Sequence, residues 1–96
     1  MTWIPVIQPA DAQGELLQAY QDVYALYPAE YQSDVEAVRR ADGSTDSVVA
    51  THSLIPQALR HSMSAFAVMM APELPLTRSQ HEMIATVVSA LNACFY

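Results

Sequence analysis

Residues 77–96 read TRSQHEMIATVVSALNACFY, and this stretch decides the fold class. Thr77 and Gln80 stand at the T-x-x-Q spacing of a capping box. There the threonine oxygen accepts one orphan N–H and the glutamine reaches back to another. Behind them Met83, Ile84, Val87, Val88 and Leu91 recur at steps of three and four, the period of a helix and not the two of a strand. Arg78 and Glu82, at i and i+4, are spaced to pair on its surface for ~0.2–0.5 kcal/mol. Asn92 tolerates left-handed geometry and is the expected terminator. The helix therefore covers 77–91, and Cys94, the only cysteine, falls where a following helix would begin.

Upstream segments repeat the helical period. MTWIPVIQPA, residues 1–10, carries two prolines and reads as an extended arm that packs onto something. A first helix is expected from Asp11, a good N-cap residue, with Leu16, Tyr20, Val23, Tyr24 and Tyr27 on one face and Pro28 as its stop. A weaker helical stretch covers Glu30–Arg40, and ADGST at 41–45 signals a turn. Asp46 is placed to cap a short helix through SVVATHSL. Pro56 suits the first turn of the next helix, whose face is Leu59, Met63, Phe66 and Met70 and which stops at APELP, 71–75. Few runs alternate as strands do. The expected class is all-α, a single helical domain over 1–96.

Bulk composition narrows the function classes. The chain is 52% hydrophobic and 15% charged, apolar for a domain that buries only roughly 60–65% of its unfolded surface. Some of that surface is expected to face another chain or further sequence. Net charge is −6, and the only cations are Arg39, Arg40, Arg60 and Arg78. Phosphate binding needs clustered cations, so nucleic acid and anionic membrane are disfavoured partners. A single cysteine makes no internal disulfide. The N-terminus lacks a signal-peptide pattern, and the longest apolar run, Ala65–Ala71, is far short of a membrane span. A soluble, cytoplasmic protein is expected.

The chemistry-bearing pair is Glu82 and Cys94. At a helix start, free N–H groups and the dipole favour an anion, and a thiol there loses its proton more readily. A partly desolvated carboxylate can shuttle that proton. A sharp turn at Asn92 would fold a new helix back and bring Glu82 near the thiol. The residues alone leave Cys94 open to a second reading, a small buried hydrophobe. Glu82 has one too, a surface partner of Arg78 at the border of the apolar face.

LTRSQHEMIATVVSALNACFY, with HSLIPQALRHSMSAFAVMM before it, resembles the signature region of the alkylhydroperoxidase D-like family. That family lies within the carboxymuconolactone decarboxylase superfamily, and the likeness is to its peroxidase-related branch. The family pattern is Glu, eleven residues, Cys-x-x-Cys, three residues, His. Glu82 and Cys94 match its first two positions. The likeness covers roughly 46–96 and only loosely the N-terminal half.

The resemblance implies a helical, homo-oligomeric, thiol-dependent peroxidase acting on a peroxide substrate, recycled by a thiol or disulfide reductant, with no metal, haem or flavin. Its second cysteine attacks the peroxide. Cys94 would be the resolving cysteine and Glu82 part of a Glu/His proton relay. The sequence stops inside the motif, so the chain is expected to be the N-terminal part of a longer protein. Two alternatives accompany this reading. One is a non-catalytic helical oligomerisation or interaction module with an incidental Cys94. The other is a superfamily lyase, which does without the cysteine pair.

The remaining polar and sulfur residues have plainer explanations. His52, His61 and His81 form no ligand spacing and read as solvated or hydrogen-bonded. Met63, Met69, Met70 and Met83 read as core filler, and Tyr20, Tyr24 and Tyr27 as a packing stripe with hydroxyls at its edge. Arg39-Arg40 reads as a solvated pair.

Overall fold

Two helices cross to make the core. Helix α1, Gly14–Ala25, packs against α3, Pro56–Met69. The short α2, Ser47–Ala50, closes one side, and α4, Arg78–Leu91, follows after a proline-containing connection. The computed structural model describes residues 3–29, 41–42, 44, 47–71 and 73–94, and every regular element among them is helical. The expected helix over Glu30–Arg40, the Arg39-Arg40 pair and the Asp46 cap lie outside the described residues.

The helix α1 starts later than its sequence suggests. Pro9–Asp11 forms one 3-10 turn, with the Asp11 N–H donating to Gln8 O at 3.0 Å, so Asp11 caps nothing. Gly14 enters α1 at φ +54, a left-handed conformation that interrupts any right-handed run from Asp11 to Glu15. From there the pattern holds. Leu16, Tyr20 and Val23 are buried, joined by Ala19. The helix closes at Ala25, three residues before Pro28.

Leu59 and Met63 from α3, with Val49 of α2, complete the cluster. Leu59 is wholly buried, which stabilises the fold by about 1.5–3 kcal/mol relative to an exposed position. Ala67 takes the third buried place on α3, and Phe66 instead lies at the edge. There Phe66 meets Tyr27 edge-on, with centroids 6.1 Å apart, and Tyr27 meets Tyr24 in the same way at 5.5 Å. Arg60 Nε lies 3.3 Å from Asp22 Oδ2, an ion pair between α3 and α1, although the Nε–H has no hydrogen-bonding partner.

Ile7 fastens the N-terminal arm to the core. The Ile7 N–H donates to Ser53 Oγ at 2.8 Å, and Ile7 O accepts from the Tyr20 hydroxyl at 2.7 Å. Both side chains are 1% exposed. Ser53 reaches this place because residues 48–55 wind tightly. The N–H groups of His52, Ser53 and Ile55 each bond three residues back. Trp3 stands outside the contact, fully in solvent. So the arm packs from Ile7, and the Tyr20 hydroxyl serves it rather than the edge of the stripe.

Burial raises the Tyr20 hydroxyl above its ordinary 10.0, and the Ser53 hydroxyl offsets part of that rise. The folded state therefore favours the neutral phenol. Its contribution to stability is complete below pH 10 and is lost as pH rises through the folded value. Urea unfolding followed against pH should show this alkaline loss, and Tyr20→Phe should remove it. Ser53→Ala should cost about 1 kcal/mol at pH 7, because it removes the hydrogen bond of the half-buried Ile7 N–H.

Candidate functional site

Helix α4 forms for local reasons. The capping box is present in both directions: the Gln80 N–H donates to Thr77 Oγ1 at 3.3 Å, and the Thr77 N–H to Gln80 Oε1 at 2.9 Å. Arg78 Nε donates to Glu82 Oε1 at 2.9 Å. Both side chains are substantially solvated, so this pair adds at most a few tenths of a kcal/mol. No residue of α4 is buried. Its apolar stripe is where the sequence sets it, but faces solvent: Met83, Ile84, Val87, Val88 and Leu91 are 50–81% exposed.

The C-terminal end of α4 presents the thiol. The left-handed residue is Ala93, at φ 51, not Asn92, which keeps φ −83 as the C-cap. The Ala93 N–H donates to Ala90 O at 3.2 Å and the Cys94 N–H to Ser89 O at 3.0 Å. These two bonds make a Schellman turn, which fixes where Cys94 leaves the helix. Asn92 falls one residue short because this motif needs its left-handed residue after the cap. Cys94 is a free, exposed thiol, not a buried hydrophobe.

Glu82 and Cys94 are held at different levels of one helix. Glu82 is the fifth residue of α4, and Cys94 is tied to Ser89. Ser89 lies seven positions after Glu82, about 10 Å of axial rise. The chain does not itself bring carboxylate and thiol into contact. The helix expected to begin at Cys94 falls on positions outside the described residues.

Beside them lies a feature that the sequence did not announce. Phe66 and Met69 of α3, Leu74 and Leu76 of the connection, and Ile84 and Val88 of α4 line an open groove of about 880 Å³. His81 is its one ionisable lining side chain among the described residues. Met63 is core as expected, but Met69 and Met83 are each 60% exposed. The methionines read differently because α4 diverges from α3 instead of lying flush on it. A clue was present in α4 itself, whose residues offer no charged barrier along the stripe. His52 is held locally, Nδ1 lying 2.8 Å from Val48 O.

Compared with models of known protein families, with characterised proteins and with solved structures, the chain matches none. Among the described residues, no helix is long and apolar enough to cross a membrane.

The Schellman turn gives a direct test. Ala at a left-handed position costs roughly 1–2 kcal/mol that glycine does not. Ala93→Gly should therefore slow amide exchange over the last turn of α4 by about fivefold or more. Because α4 buries nothing, the urea midpoint of the α1–α3 core should not move.

Proposed function

We propose that this chain carries the Glu and first Cys of a thiol-dependent peroxidase of the alkylhydroperoxidase D-like type. The observation that supports this most is the end of α4. A capped helix carries Glu82, and its Schellman turn delivers an exposed Cys94 twelve positions later. That is the family spacing on a helical scaffold. The family's second cysteine and its histidine are not among these 96 residues.

The chemistry divides among these groups as follows. In the family the thiolate of the second cysteine attacks one oxygen of the peroxide. The O–O bond breaks, the sulfur becomes a sulfenic acid, and the alcohol leaves with a proton supplied by the relay. Cys94 then attacks that sulfur. A disulfide forms, and the oxygen departs as water. An external dithiol reduces the disulfide and is itself oxidised. Glu82 moves protons between Cys94 and the leaving oxygen, so its carboxylate must meet the thiol. A solvated thiol suits the resolving role, because the external reductant must reach it.

A second reading is favoured by a separate observation, the exposure of the α4 stripe. On that reading the chain is a helical interaction module and Cys94 is incidental. One experiment separates them. Consumption of cumene hydroperoxide by the full-length protein is followed with dithiothreitol as reductant. Cys94→Ser should abolish turnover, and Glu82→Gln should slow it by about 10²-fold, a usual loss for a general acid–base group. Unchanged turnover in Glu82→Gln removes Glu82 from the mechanism. Unchanged behaviour in Cys94→Ser, with no peroxide consumed by either protein, selects the interaction module.

A further inference from the structure

We draw no further inference here: the strongest candidate, the open apolar groove between α3 and α4 lined by Phe66, Ile84 and Val88, carries none, because nothing in the structure shows what covers it.

Discussion

Both backbone groups of Ile7 are held by buried side-chain hydroxyls, the N–H by Ser53 and the carbonyl by Tyr20. This joins three parts of the chain distant in sequence: the arm, α1 and the turn after α2. A peptide group brought against an apolar core without partners would cost about as much as the burial gains. With both groups satisfied, Ile7 can pack on the cluster of Leu16, Val23, Leu59 and Met63. The α1–α3 crossing and the Asp22–Arg60 pair then share one framework.

Helix α4 is stabilised differently. It has no buried residue, and a helix of 14 residues is marginal in water without tertiary support. Its own ends supply what it has: a reciprocal capping box at Thr77, an i, i+4 ion pair, and a Schellman turn closed through Ala93. The left-handed alanine works against this. A helix so constituted can be ordered or loosened by whatever covers its apolar stripe. Its stability is therefore coupled to that cover.

That coupling bears on chemistry. A carboxylate and a thiol on one straight helix are kept apart by the rise of the helix itself. They meet only if another element returns along α4.

The sequence alone determined the local structure. The capping box, the helical period of three segments, Pro56 at a first turn and the Arg78–Glu82 pair all follow from residue type and spacing, and they stand in the structure. Local signals misled where two compete. Asp11 looks like a cap, but Gly14 resets the backbone three residues later. Asn92 tolerates left-handed geometry, but the turn places that geometry at Ala93. Of the candidate site, the identity and order of Glu82 and Cys94 were legible, while their separation was not. Tertiary structure alone decided that Ser53 and Tyr20 clamp Ile7, that Met69 and Met83 face water, and that α4 leaves α3 to open a groove. The reason is physical. Periodicity reports which face of a helix is apolar, but only the packing of the other elements decides whether anything lies against it.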